Sequence, residues 1–141
     1  MSEIFSGHPI VVRHHGGLRF VASARSHEIA TDQPLRSGGT DCGATPLELL
    51  GAALGSCIAL YVQQFCEARD LPAVGMRVEV SQKNESGPNR VGSFSVRVVL
   101  PDEMPTEYVT ILERVVRSCP VHNTLSMGSA IHVELAVPAA V

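Results

Sequence analysis

"TPLELLGAALGSCIALYVQQFC", residues 45–66, decides how this 141-residue chain folds. Thr45, Pro46 and Glu48 fit the N-cap, first helical position and capping-box partner of an α-helix. No charged residue interrupts Leu49 to Cys66, and the helix is expected to run to about Arg69, ahead of Pro72. Leu49, Leu50, Ala52, Ala53, Leu54, Ile58, Ala59, Leu60 and Val62 leave it apolar on nearly every face. A helix apolar all round must be covered all round. Gly51, Gly55, Ser56, Gln63 and Gln64 interrupt the apolar run. It therefore reads as a buried core helix rather than a membrane span, which needs about 20 mainly apolar residues.

Strands are expected on both sides of this helix. Residues 10–13 and 18–24 read as two short strands, with room for a third after them. "HHGG", 14–17, forms the turn between the first two, because paired glycines tolerate positive φ. Residues 36–45, "RSGGTDCGAT", form a polar, Gly-rich loop that feeds the helix. After the helix, Met76, Val78 and Val80 alternate with Arg77, Glu79 and Ser81; Phe94, Val96, Val98 and Leu100 alternate with Ser93, Ser95 and Arg97. Such alternation marks a sheet with one wet face. "KNESGPNRVG", 83–92, is the polar turn between them. A second helix is expected over 106–118, with Tyr108, Ile111, Leu112, Val115 and Val116 as its apolar stripe. Ile131, Val133, Leu135 and Val137 predict a last strand. The order gives an α+β fold, one domain over 1–141, with largely antiparallel sheet. One small sheet covers only one side of the central helix. A second copy of the chain is the simplest cover for the other side, so a homodimer is expected.

Totals narrow the function. Net charge is −3 with no basic block, which argues against nucleic acid as the main partner. "MSEIFSGHPI" has an acidic residue and no apolar run, unlike a signal peptide, so the cytoplasm is the expected compartment and no membrane is implied. Aromatic residues are 4% of the chain, so the core must be built from Val, Leu, Ile and Ala. Four cysteines in such a chain are inert core, metal ligands or redox groups rather than a secreted disulfide framework. No G-x-S-x-G, P-loop or G-x-G-x-x-G is present, so hydrolase and nucleotide readings have no support.

The cysteines differ in setting. Cys57 and Cys66 lie on the central helix, where a free thiol packs as a small hydrophobe. Cys42 lies in the Gly-rich loop without neighbours that suggest a task. Cys119 stands in "SCPVHNTL", 118–125. Ser118 can cap a short helix with Cys119 and Pro120 in its first turn, where backbone N–H groups favour thiolate. His122 would lie one turn on, on the same side. Cys119 and His122 have ligand-like spacing, but a closed zinc site needs four ligands, and no second pair exists, so no metal is expected.

Together, "GATPLELLGAALGSC" (43–57) and "SCPVHNTL" (118–125) resemble the signatures of the OsmC/Ohr family, which includes osmotically inducible protein C and organic hydroperoxide resistance proteins. The likeness in element order extends over roughly residues 10–137. It implies antiparallel sheets packed around two central helices in an intertwined homodimer, with the site at the subunit interface. It also implies a thiol peroxidase of oxidative stress defence that uses no cofactor. Cys57 matches the peroxidatic cysteine and Cys119 the resolving one. A small organic hydroperoxide oxidises Cys57 to a sulfenic acid, Cys119 condenses with it to a disulfide, and an external dithiol, lipoyl-type in the better-known members, reduces it. Cys57 is mid-helix, away from the positive helix end, so its thiolate needs a cation. The family uses an arginine held by a carboxylate. Arg36 is the first choice, Arg19 the second, and Glu48 either holds that arginine or only completes the capping box with Thr45. The competing expectation is a non-enzymatic dimer that binds an apolar small molecule, its cysteines merely packed.

Overall fold

The computed structural model describes residues 7–139. Two compact units emerge. One comprises the N-terminal strands through Ala52 together with Gln82–Phe94; the other comprises Ala53–Ser81 and the residues from Ser95 onward. The central helix α1 (Pro46–Ala68) and the hairpin β4 (Arg77–Glu85)–β5 (Arg90–Val99) run through both.

In the first unit, β1 (Val11–His14), β2 (Phe20–Ala24) and β3 (His27–Thr31) form an antiparallel sheet in sequence order. Val11 pairs with Ser23 and His14 with Phe20; Ala24 pairs with His27 and Phe20 with Thr31. The expected glycine turn is present: Gly16 and Gly17 adopt φ of 94° and 54°. The His15 amide reaches the Arg19 carbonyl at 2.9 Å.

After β3 the chain enters a loop organised by one side chain. The Asp32 carboxylate is 1% exposed. It accepts hydrogen bonds from the Gln33 amide (2.7 Å), the Thr40 hydroxyl (2.6 Å) and amide (3.2 Å), and the Cys42 amide (3.1 Å). A buried carboxylate is tolerated only when its lone pairs are satisfied. Here they are satisfied by donors spread over ten residues, so the loop is drawn around the charge. Backbone then crowds backbone: a Cβ on Gly39 would collide with the Gln33 carbonyl, and one on Gly43 would meet the Ala30 carbonyl at 2.6 Å. A parallel bridge between Thr31 and Ala44 ties the end of the loop to β3 and delivers Thr45 to the start of α1.

The second unit holds the larger core. Leu54, Ile58, Val62, Phe65 and Cys66 form the buried stripe of α1, at helical spacing. Val62, Phe65 and Cys66 pack with Met104 and Leu112, and Met76, Val98, Tyr108, Ile111 and Val115 flank them. Phe65 meets Tyr108 edge-on at 6.2 Å, and the Arg69 guanidinium lies 3.8 Å from the Phe65 ring centroid. Val78, Val80, Val96 and Val98 are half-buried while Arg77, Glu79, Ser95 and Arg97 are exposed, as the alternation predicts. The hairpin strands extend well into the expected turn. The expected helix over 106–118 is a 3-10 turn at Thr106–Tyr108 followed by α2 (Val109–Val116), with Leu112 inward. A further helix, α3 (Pro120–Met127), follows.

One expectation is corrected. No strand forms over residues 131–137, and Ile131, Val133, Leu135 and Val137 are 80–95% exposed. Alternation encodes which side chains share a face; it does not supply the hydrogen-bonding neighbour a strand requires. Within one chain, Ala52, Ala53 and Leu60 of α1 are exposed, which agrees with a single sheet covering only one side of this helix. By length and composition alone, α1 could cross a bilayer, but its inner stripe is core and Ser56, Gln63 and Gln64 break its outer face.

The Asp32 knot predicts a pH signature. Hydrogen bonds from the Thr40 hydroxyl and then the Gln33 amide, with those from Cys42 and Thr40 amides, outweigh burial and lower its pKa from 3.8 to about 2. A depressed carboxylate stabilises the fold above the unfolded value and loses that contribution as pH falls through the folded one. Asp32→Asn is expected to lower Tm clearly at pH 7, and the gap from wild type should close towards pH 2. Thermal melts across that range check it; a gap independent of pH would contradict it.

Candidate active site

Cys57 lies on the part of α1 that belongs to the second unit, half-buried, five residues before Val62 of the core. Cys119 lies in the same unit, directly after α2, with no exposed surface. The two side chains are neighbours: Cys57 acts on the Cys119 thiol by hydrogen bonding and by charge. All four cysteines are free thiols.

The local fold around Cys119 differs from the sequence expectation. Cys119 itself, not Ser118, is the N-cap of α3, with Pro120 at the first helical position. Its ψ of 126° is extended, the conformation a following proline favours. Its sulfur takes the place of the usual capping oxygen, accepting from the His122 amide at 3.5 Å. His122 is thus tied to Cys119 through its backbone, while its ring Nδ1 lies 3.4 Å from Asn123 Oδ1.

The expected thiolate at this helix start is also corrected. The His122 and Val121 amides do lower the Cys119 pKa, but burial, followed by the hydrogen bond and charge of Cys57, outweighs them and raises it above the ordinary 9.0. Taking a charge out of water costs more than two amides return. Burial raises the Cys66 thiol likewise. Cys66 sits inside the main core cluster, as an inert packed thiol would. Cys42 is exposed, 3.3 Å from the Thr40 hydroxyl.

The remaining candidates lie in the other unit. Glu48 is exposed and forms both halves of the capping box: the Thr45 amide donates to its carboxylate at 2.8 Å, and its own amide donates to the Thr45 hydroxyl at 3.2 Å. Arg36 is exposed in a 3-10 turn, Leu35–Ser37, and Arg19 is exposed after the glycine turn. Among the described residues, neither arginine forms an ion pair, with Glu48 or any other carboxylate. No cluster of three or more metal-ligating side chains occurs among the described residues. Asp32, which orders the loop before α1, went unnoticed in the sequence. Its signal is an Asx-type position ahead of Gln33-Pro34 with a Thr-Asp-Cys segment eight residues on.

The profile of the OsmC-like protein family matches residues 38–135. No curated protein matches the sequence. Several solved structures share the fold. A candidate osmotic stress induced and detoxification response protein from Psychrobacter arcticus is 24% identical, with a TM-score of 0.78 over 85% of this chain and 90% of its own. An OsmC-like protein of unknown function from Vibrio cholerae is 15% identical, with a TM-score of 0.71 over 85% and 94%. An organic hydroperoxide resistance protein, OsmC, from Legionella pneumophila is 14% identical, with a TM-score of 0.58 over 86% and 91%.

The burial of Cys119 predicts its reactivity. Alkylation proceeds through thiolate, so a raised pKa leaves less reactive sulfur at neutral pH. With iodoacetamide at pH 7, Cys119 should label far more slowly than exposed Cys42, and its rate should still be climbing above pH 9. Peptide mass spectrometry over a pH series measures this; a Cys119 rate that levels off below pH 8 would contradict it.

Proposed function

The chain belongs to the OsmC-like protein family, and on that premise we propose that it is a thiol-dependent peroxidase of oxidative stress defence, reducing organic hydroperoxides through Cys57 and Cys119. The observation that carries the proposal is the neighbouring pair of free thiols, one half-buried and one enclosed. The name of the Legionella relative points to the same substrate class.

The exposure of the two sulfurs supports one order for the cycle. Cys57, the more accessible, attacks the distal peroxide oxygen as thiolate. The O–O bond breaks, Cys57 becomes a sulfenic acid, and the alkoxide leaves as alcohol after taking a proton. Cys119 then condenses with the sulfenic acid, forming the disulfide and releasing water. A raised pKa suits Cys119 to this second role, because it stays a thiol until an oxidised partner is beside it. An external dithiol, of the lipoyl type, restores both thiols by exchange. We assign the cation that favours the Cys57 thiolate to Arg36, with Arg19 as the alternative, and the carboxylate that holds it to Glu48. The cycle takes place in the cytoplasm and needs no metal or cofactor.

We also propose that the working form is an intertwined homodimer. Leu60 (51% exposed), Ile10, Val12 and Ile29 (45–68%) and the alternating side chains of 131–137 leave apolar surface uncovered in one protomer. Burying each such side chain yields about 1.5–3 kcal/mol. A second copy supplies a cover for the outer face of α1 and for the exposed apolar side chains of 131–137.

Consumption of cumene hydroperoxide with dithiothreitol tests the reading. Cys57→Ser should abolish turnover, and Cys42→Ser should leave it unchanged. Arg36→Gln should lower it on the order of 10²-fold, the scale of losing one preorganised charge contact. Equal activity in the Cys57 and Cys42 variants would reject the peroxidase and leave a packed dimer. A loss in Arg19→Gln rather than Arg36→Gln would move the cation assignment.

A further inference from the structure

We infer that a basic cleft on the β1–β2 sheet is a binding site for a small oxyanion, separate from the thiol chemistry. His8, Pro9, Val11, Arg13, Ser23 and Arg25 line a cleft of about 540 Å³, within the size range of small-molecule sites. The register explains why they meet. Val11 lies opposite Ser23, and side chains two apart on a strand share a face. Arg13, two residues along β1, therefore stands on the face that carries Ser23, and Arg25 follows Ser23 by two at the end of β2.

Charge gives the cleft its ligand class. Among the described residues the ion pairs are Arg77–Glu79, Arg97–Glu79 and Arg90–Glu85, so both cleft arginines lack a carboxylate partner. Two like charges on one cleft wall are unfavourable without an anion between them. The planar guanidinium fork matches carboxylate and phosphate oxygens in a two-point contact. The Ser23 hydroxyl and the His8 ring offer further hydrogen bonds, and Pro9 and Val11 supply an apolar wall for the rest of a small organic anion. Glu28 stands on this face, opposite Ser23 in register, and pairs with neither arginine. It opposes an incoming anion.

The backbone adds an independent observation. Arg25 is the first residue of the two-residue turn that joins Ala24 to its partner His27, and its φ is 55°. Hairpin turns ordinarily place Gly or Asn at a positive-φ position, and a longer side chain there is strained. Here a cation occupies the strained position at the rim of a cleft that already holds another. Strain of this kind gathers at ligand sites.

NMR titration with sodium phosphate and, separately, sodium acetate tests the site, at pH 7 and with ionic strength held by sodium chloride. The Ser23 amide and the His8 ring resonances should shift saturably with at least one of the two anions, and which one responds identifies the oxyanion. Arg13→Gln and Arg25→Asn should each weaken binding by about tenfold, the scale of one charge-assisted hydrogen bond, and Glu28→Gln should tighten it. Asn suits positive φ, so Arg25→Asn keeps the turn and decides the question if Arg13→Gln does not fold. Peroxide turnover should be unchanged in Arg25→Asn, which separates this site from the thiol cycle. The absence of any saturable shift with both anions, or an affinity unchanged in Arg25→Asn, would overturn the inference.

Discussion

The packing of the inner stripe of α1 onto α2 fixes where Cys57 and Cys119 lie. Val62, Phe65 and Cys66 are locked against Leu112 and Met104. That contact sets the rotation of α1, and so the direction of Cys57 less than two turns earlier. It also sets where α2 ends, and Cys119 follows that end by three residues. Two thiols separated by the rest of α1, the whole hairpin and α2 thus become neighbours because apolar surface leaves water. Neither cysteine needs a dedicated scaffold.

The environment then makes the two sulfurs unequal. Cys119 is enclosed, caps α3 and is held as a thiol chiefly by burial. Cys57 keeps some exposure. A thiol peroxidase needs such an asymmetry, since one sulfur must meet substrate and the other must wait. The N-cap role of Cys119 adds a structural reason for the "CP" step. Proline fixes the first helical position, and the residue before it becomes the cap.

Much of this was legible in the sequence, where a local rule carried the information. The capping box of Thr45 and Glu48, the alternation in β4 and β5, the glycine turn and the stripe on α2 each rest on neighbours within a few residues. What was missed depends on partners farther away. Asp32 draws its donors from residues up to ten positions on, so no periodicity announces it. The segment 131–137 has a strand's pattern but forms no strand. The thiolate expected at Cys119 followed from helix geometry, which is local; the burial that reverses it comes from the tertiary fold. Arg36 and Glu48 illustrate the same boundary, for their types fit a cation and its holder, while Glu48 is engaged with Thr45.

The central claim is that Cys57 and Cys119 form one redox couple, and oxidation by a single equivalent of cumene hydroperoxide tests it most directly. Intact and peptide mass spectrometry should find a loss of two hydrogens per chain, carried by a Cys57–Cys119 cross-link that dithiothreitol reverses, with Cys42 and Cys66 still alkylatable. An unchanged mass, or a Cys57 oxidised to sulfinic acid beside an intact Cys119 thiol, would contradict the account.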